Sequence, residues 1–352
     1  MAALSCHGLA IMRAMRLKTL AWVMALLVAL TGAAATWAYQ AWLQRPLPVL
    51  AFAQDQVLEV TVPERAGASA VAQVLARAGV AVPPRVLSLW FVWSDVAHRL
   101  QAGSYEFPAG VTPTQLRRML VRGEQAMRRV TLPEGWHFAQ WRQALAQAAD
   151  LRPDSATLPA SAIMQRLGLG NQSPEGAFFP ATYAYPKNSS DWVVWEQAAR
   201  AMQQVVAKAW GERAPNLPLQ TPHEAVVLAS LIEKETGRAA DRAMISGVFH
   251  NRLRLGMRLQ TDPSVIYGLG DAFDGDLKRV HLRRDGPYNT YTRRGLPPTA
   301  IAMPGLASLQ AALNPASTEA LYFVARGDGS SQFSRTLREH NQAVRRYQLG
   351  QP

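Results

Sequence analysis

Two glutamates follow one of the least polar runs of this sequence. The stretch VVLASLIEKETGR, Val226 to Arg238, places Glu233 and Glu235 directly after that run. A carboxyl group at the end of a buried helix is costly to charge, so its pKa rises, toward about 6 to 7 in favourable cases. Such a glutamate can donate a proton near neutral pH. The pattern predicts a general acid; the alternative is a solvated helix end whose glutamate pairs with Lys234 or Arg238.

Capping residues at both ends predict that this stretch is a helix. Thr221, Pro222 and Glu224 match a capping box with proline in the first turn, and Gly237 can close the other end. Between them, residues 225–232 are apolar except for one serine, which predicts a helix buried on all sides.

The helical period separates the two glutamates. Glu233 is expected on the face of the small residues Ala229 and Ser230, which leaves room for a ligand. Glu235 is expected on the face of Leu231, so spacing alone does not decide which glutamate is the acid.

Polar planar side chains stand beside aromatic ones further along the chain. The stretch NRLRLGMRLQTDPSVIYGLG offers Gln260 and Asp262, with Asp262 expected to cap a new helix. GPYNTYTRRGLPPTAIAMPG alternates amide, hydroxyl and aromatic groups in a proline-stiffened loop. Forked donors beside aromatic faces suit a carbohydrate, so a sugar cleft is our hypothesis.

Metal and cofactor motifs are incomplete. His223 and Glu224 resemble the start of a zinc motif, but Val227 occupies the position of the second ligand. GLGDAFDGD lacks the spacing and the closing glutamate of a calcium loop. We expect no metal and no cofactor.

Charge and cysteine usage narrow the class of protein. The 352 residues carry a formal net charge of +12 without a concentrated basic run, which favours proximity to an anionic surface and argues against nucleic acid as a partner. The single cysteine, Cys6, precedes the apolar segment described next, so a thiol enzyme and a disulfide framework are excluded beyond it.

The N-terminal region predicts a membrane anchor. Thr19 to Tyr39 is apolar and long enough to span a bilayer, and Arg13, Arg16 and Lys18 precede it. Positive charge on that side places the N-terminus in the cytoplasm and the rest outside. A cleaved signal peptide is the alternative, but the apolar run continues past the small residues.

The fold class predicted is α+β. Three segments each run strand, proline, glycine and amphipathic helix: Leu58 to Gly79, Ser104 to Gly123 and Arg128 to Ala148. The tail predicts a hairpin over GDGSS followed by a helix. The segments expected are a cytoplasmic N-terminus (1–18), a transmembrane helix (19–39), a linker (40–56), a small strand and helix region (57–125) and a mixed α+β domain (126–352).

Four separated blocks, in order, resemble the endolytic murein transglycosylase (YceG-like) family. They are LASLIEKET, VFHNRLRLGMRLQTDPSVIYGLG, YNTYTRRGLPP and LYFVARGDGSSQFSRTLREHN. The resemblance implies an inner-membrane protein with a periplasmic LysM-like region at 57–125 and a catalytic domain that cuts nascent peptidoglycan strands internally. It implies glycan strands as substrate and peptidoglycan synthases as partners.

The resemblance also implies site residues. It assigns the catalytic role to Glu233 and, by position, the glycan cleft to Gln260, Asn289 and Tyr291, with Glu175 as a further substrate-binding residue. One departure follows the aromatic EG block, where Ala181 stands in place of the family's usual aspartate.

The implied reaction needs one carboxyl group and no water. The acid protonates the oxygen between MurNAc and GlcNAc and then accepts the proton of the MurNAc C6 hydroxyl, which closes on C1 to leave a 1,6-anhydro end. A hydrolytic muramidase would need a second carboxylate, for which Glu235, Asp262 and Glu175 are candidates. A cell-wall-binding protein without activity is the third alternative.

Overall fold

The computed structural model describes residues 4–49 and 57–350, with side chains from residue 18 onward. The chain divides into two compact units, residues 1–126 and residues 127–352. The predicted linker lies partly outside the described residues, since residues 50–56 are not among them.

The first unit combines helices with one small sheet. Its elements are α1 (Leu4–Gln44), β1 (Leu58–Val62), α2 (Ala68–Arg77), α3 (Pro84–Trp93), β2 (Gly103–Phe107) and α4 (Pro113–Arg122), and β1 pairs antiparallel with β2. Residues alternate between buried and exposed along β1, as the sequence period requires. Thr112 and Gln115 form a capping box at the start of α4, and Gly123 ends it with a φ of 65°.

The N-terminal helix is long and apolar enough to cross a membrane. Within the described residues one such helix is found, over Lys18–Gln44, and its predicted membrane segment is exposed. The helix continues past Tyr39, and Leu43 and Leu47 are buried in the core of the first unit. The first part of the region predicted as a linker is therefore helix and core, because its apolar residues find partners that local sequence cannot specify.

The second unit is a mixed α+β assembly, and its described residues, 127–350, form three two-stranded sheets. Its strands are β3 (Met127–Leu132), β4 (Leu151–Arg152), β5 (Ala181–Pro186), β6 (Ser189–Ser190), β7 (Tyr322–Ala325) and β8 (Ser331–Ser334). The pairs are β3 with β5 and β7 with β8, both antiparallel, and β4 with β6, parallel.

Nine helices of the second unit occur among the described residues. They are α5 (Phe138–Ala146), α6 (Ala160–Arg166), α7 (Trp192–Gly211), α8 (Pro222–Glu235), α9 (Ala239–Arg254), α10 (Asp262–Leu269), α11 (Arg279–Arg283), α12 (Leu306–Leu313) and α13 (Leu337–Gln348). Helix α8 packs against α7, α9, α10 and α12. It is thus the central helix of this unit.

The elements predicted from sequence periods are confirmed. The three strand and helix segments correspond to β1 with α2, β2 with α4 and β3 with α5, and the tail forms the β7–β8 hairpin and α13. The predicted end of α8 is not confirmed: the helix stops at Glu235, and Thr236 is already extended, before Gly237.

Candidate active site

Both glutamates lie in the last turn of helix α8. Thr221 Oγ1 accepts a hydrogen bond from Glu224 N at 3.2 Å, which confirms the predicted start. Every residue from Ala225 to Ile232 is buried. Ser230, the one polar residue in this stretch, has hydrogen-bond partners: its Oγ donates to Val227 O at 2.7 Å and accepts from Ile301 N at 3.0 Å.

Glu233 is held by polar partners from two distant segments. Its side chain is 6% exposed, and its Oε2 accepts a hydrogen bond from Gly305 N at 2.9 Å. Its Oε1 lies 3.8 Å from a guanidinium nitrogen of Arg242. The sequence predicted apolar surroundings for Glu233, but its carboxyl group has polar partners. These contacts connect α8 to α9 and to the start of α12.

Glu235 points to a different set of residues. The Thr261 hydroxyl donates a hydrogen bond to its Oε1, and the side chain is partly buried. Burial raises the pKa of Glu235 to about 7; the Thr261 hydrogen bond lowers it, the charge of Asp262 raises it and Arg252 lowers it. At neutral pH a large fraction of Glu235 is therefore protonated, which is the state required of a general acid.

A cavity of about 600 Å³ opens beside Glu235. Gln260 and Tyr291, two of the predicted cleft residues, line it together with Glu235 and Asp262. Residues of the β7–β8 hairpin and α13, including Tyr322 and His340, also line it. Glu233 does not line this cavity. The structure thus brings two of the three predicted cleft residues, Gln260 and Tyr291, together with Glu235, whereas Asn289 lines a different cavity.

Two residues were not anticipated from the sequence: Arg252, which lines this cavity, and Thr261, which is buried and binds Glu235. The Arg252 guanidinium donates to Leu259 O at 2.8 Å and to Gln260 Oε1 at 3.3 Å. Asp262 was predicted as the cap of α10, but Thr261 occupies the cap position and its hydroxyl binds Glu235. The only sequence signal was their place in the block that also contains Gln260.

Asn289 is committed to its own loop. Its Nδ2 donates to three backbone carbonyls, those of His281, Leu282 and Arg284, at 2.7 to 3.2 Å. Its Oδ1 accepts from Tyr291 N at 2.9 Å, and the residue is 5% exposed. Direct contact of Asn289 with a glycan stays a prediction; the contacts seen are those of a residue that fixes the loop carrying Tyr291.

Glu175 lies apart from Glu235 and its cavity. Both of its carboxyl oxygens are within 3.2 Å of Phe138 N, so it caps the start of α5, and it lines a separate cavity of about 200 Å³. It is 8% exposed, and burial raises its pKa to about 7 while the Phe138 N–H lowers it. Ala181, the departure from the family pattern, begins β5 opposite Leu132. A substrate-binding role for Glu175 stays a prediction.

Glu175→Gln should stabilise the second unit at alkaline pH. The folded-state pKa of about 7 exceeds the ordinary value of 4.5, so stability falls as pH rises through this interval. A pKa shift of this size lowers the free energy of unfolding by about 3 kcal/mol at pH 8, as an upper bound. Glutamine keeps an acceptor for Phe138 N and never ionises. The measurement is urea unfolding of the full chain, followed by hydrogen exchange in peptides of residues 127–352. The variant should show a higher free energy of unfolding than the wild type at pH 8.

The same variant should match the wild type near pH 4, where Glu175 is protonated in both the folded and the unfolded state. Glu212→Gln, at an exposed glutamate of the same unit, is the control and should change stability little at either pH. An equal gain from Glu175→Gln at both pH values would contradict the assignment of the effect to ionisation.

Comparisons with known proteins agree on one family. The sequence model of the YceG-like family matches residues 60–346. An endolytic murein transglycosylase of Bacillus subtilis (strain 168) is 31% identical over 309 residues, which cover 82% of this chain and 84% of that protein. An endolytic murein transglycosylase of Streptococcus pneumoniae serotype 2 is 25% identical over 351 residues; the match covers 90% of this chain and 63% of that longer protein.

A solved structure is also similar. The crystal structure of a YceG-like protein from Listeria monocytogenes has 28% sequence identity and a TM-score of 0.52. The match covers 82% of this chain and 99% of that one. The sequence and structure comparisons therefore both match this chain to YceG-like proteins.

Proposed function

Because the chain belongs to the YceG-like family, we propose that it is an endolytic murein transglycosylase whose general acid is Glu235. One observation carries the choice of residue: the carboxyl group with a pKa of about 7 opens on the cavity lined by Gln260 and Tyr291. Glu233, to which the resemblance assigned the catalytic role, is instead engaged by Gly305 and Arg242. We therefore transfer the assignment to Glu235.

The reaction uses Glu235 twice. The protonated carboxyl donates its proton to the glycosidic oxygen between MurNAc and GlcNAc, and the bond from that oxygen to C1 breaks. The resulting carboxylate accepts the proton of the MurNAc C6 hydroxyl as its oxygen bonds to C1. GlcNAc leaves with a free hydroxyl, the other end is 1,6-anhydroMurNAc, and Glu235 regains its proton. Burial supports both steps, since it keeps the proton on Glu235 until an acceptor arrives.

The mass of the products tests the reaction type. An anhydro end is lighter by one water than a hydrolysed end, so digestion of purified glycan strands in water enriched in ¹⁸O should give fragments without the label. Asp262 lies in the same cavity and provides the second carboxylate that a hydrolytic muramidase would need, so hydrolysis is the competing function. Reducing ends that carry ¹⁸O would establish it.

We also propose a cellular setting, which the N-terminal helix supports. We place the protein in the inner membrane as a single-pass protein, with the N-terminus in the cytoplasm and the chain after the membrane helix in the periplasm; the apolar span over Lys18–Gln44 supports this. The order strand, helix, helix, strand in β1, α2, α3 and β2 supports a LysM-like glycan-binding region at 57–125. An anchored enzyme would meet nascent strands close to the peptidoglycan synthases that make them.

A further inference from the structure

Asp262 adjoins the residue that binds the proposed acid. It begins α10 directly after Thr261, whose hydroxyl donates to Glu235. Its carboxylate lines the same cavity as Glu235 and is exposed to solvent. The Glu233 carboxylate, in contrast, does not line this cavity and is nearly buried. The cavity therefore presents two carboxyl groups in different states of burial, and the one-carboxyl reaction described above uses only the first.

A chain of hydrogen bonds fixes the direction of Asp262. The Tyr291 hydroxyl donates to Asp262 Oδ1, and the Tyr291 N–H donates to Asn289 Oδ1. Asn289 is itself tied to three carbonyls of its loop, and Thr261 N donates to Thr290 Oγ1 at 3.0 Å. Burial raises the pKa of Tyr291, as does its hydrogen bond to Asp262, so the phenol keeps the proton that it donates.

The transition state needs a group of this kind. Cleavage of the glycosidic bond develops positive charge on C1 and the ring oxygen of MurNAc before the C6 oxygen closes on C1. A fixed carboxylate beside that charge is more effective than water because it needs no reorganisation during the reaction. Glu235 cannot fill this role at the same moment, because it is then transferring its proton.

We propose that Asp262 is a second catalytic residue that stabilises the developing positive charge at MurNAc C1 without bonding to it, and that Tyr291 is the positioning residue that aims it. This inference rests on the proposed function. It also explains why the residues around Tyr291 are held so closely by their own loop, since a misdirected carboxylate would lose most of its effect.

The test compares Asp262→Asn with Asp271→Asn in the full chain, using uncross-linked glycan strands as substrate. Asp271 is an exposed aspartate just after the same helix and serves as the matched control. For Asp262→Asn we expect kcat to fall by about 100-fold with KM changed by less than about threefold, because the lost interaction is made in the transition state. Asp271→Asn should retain full activity.

The pH profile gives a second readout that a structural role would not move. The charge of Asp262 raises the pKa of Glu235, so Asp262→Asn should shift the alkaline limb of kcat to lower pH. The other ionisable groups that line the cavity stay in place in this variant: Arg252, Tyr291, Tyr322 and His340. Tyr291→Phe should lower kcat by about tenfold while leaving the limb where it is, because the charge of Asp262 persists.

The results separate the two proposals. Near-normal kcat in Asp262→Asn would overturn the role of Asp262, and so would a raised KM with unchanged kcat, which would mark a binding group. If Asp262→Asn unfolds, which circular dichroism would detect, Tyr291→Phe decides: an unchanged kcat would overturn the proposal. Loss of activity in Asp262→Asn together with full activity in Glu235→Gln would instead show that the assignment of the acid has failed.

Discussion

Glu235→Gln should lower the rate of anhydro-end formation by about 1,000-fold or more. Glutamine preserves the shape of the side chain and can still accept the Thr261 hydrogen bond, but it has no proton to donate to the glycosidic oxygen. Strand binding should survive, because the walls of the cavity do not change. The measurement is the yield of 1,6-anhydro ends over time by mass spectrometry, beside a sedimentation assay of binding to glycan strands.

Glu233→Gln is the contrasting variant, two residues away on the same helix. It weakens the contacts of residue 233 with Arg242 and Gly305, so we expect some loss of stability and a fall in rate of about tenfold at most. The opposite pattern, with Glu233→Gln inactive and Glu235→Gln active, would restore the catalytic role to Glu233. Thermal unfolding of both variants would distinguish a loss of the acid from a loss of the fold.

Arg252→Met should destabilise the second unit by about 3 kcal/mol. Arg252 is 7% exposed, and its guanidinium donates to four oxygens: Leu321 O at 2.6 Å, Leu259 O at 2.8 Å, Arg258 O at 3.1 Å and Gln260 Oε1 at 3.3 Å. Methionine matches its apolar stem but removes the donor from these acceptors, of which Leu259 O is in a buried hydrogen bond and the others are in partly buried ones. The variant also loses the positive charge that lowers the pKa of Glu235, so that pKa should rise further.

Hydrogen exchange in peptides from α9 and the β7–β8 hairpin measures this effect in the full chain. Arg254→Met, at the exposed neighbour on the same helix, is the control and should cost less than about 1 kcal/mol. Equal destabilisation by the two variants would show that the buried hydrogen bonds of Arg252 have no special weight.

Local sequence was sufficient for most of the secondary structure. The capping residues and apolar spacing of α8 predict its start and its complete burial, and both are confirmed. The same reasoning predicts the membrane-length helix, the three strand and helix segments and the final hairpin. These features depend on neighbours within a few residues, so a sequence displays their causes directly.

The sequence by itself determined that two glutamates follow a buried helix and lie on different faces of it, since residues two apart are rotated by about 200°. Only the tertiary structure decided what each face meets. Gly305 and Arg242 contact Glu233. Thr261 binds Glu235, the charge of Arg252 acts on it, and Glu235 lines a cavity of about 600 Å³. The pKa of a carboxyl group depends on burial and on charges brought from distant parts of the chain. Periodicity can therefore place the two candidates, but only long-range packing can give one of them the properties of an acid.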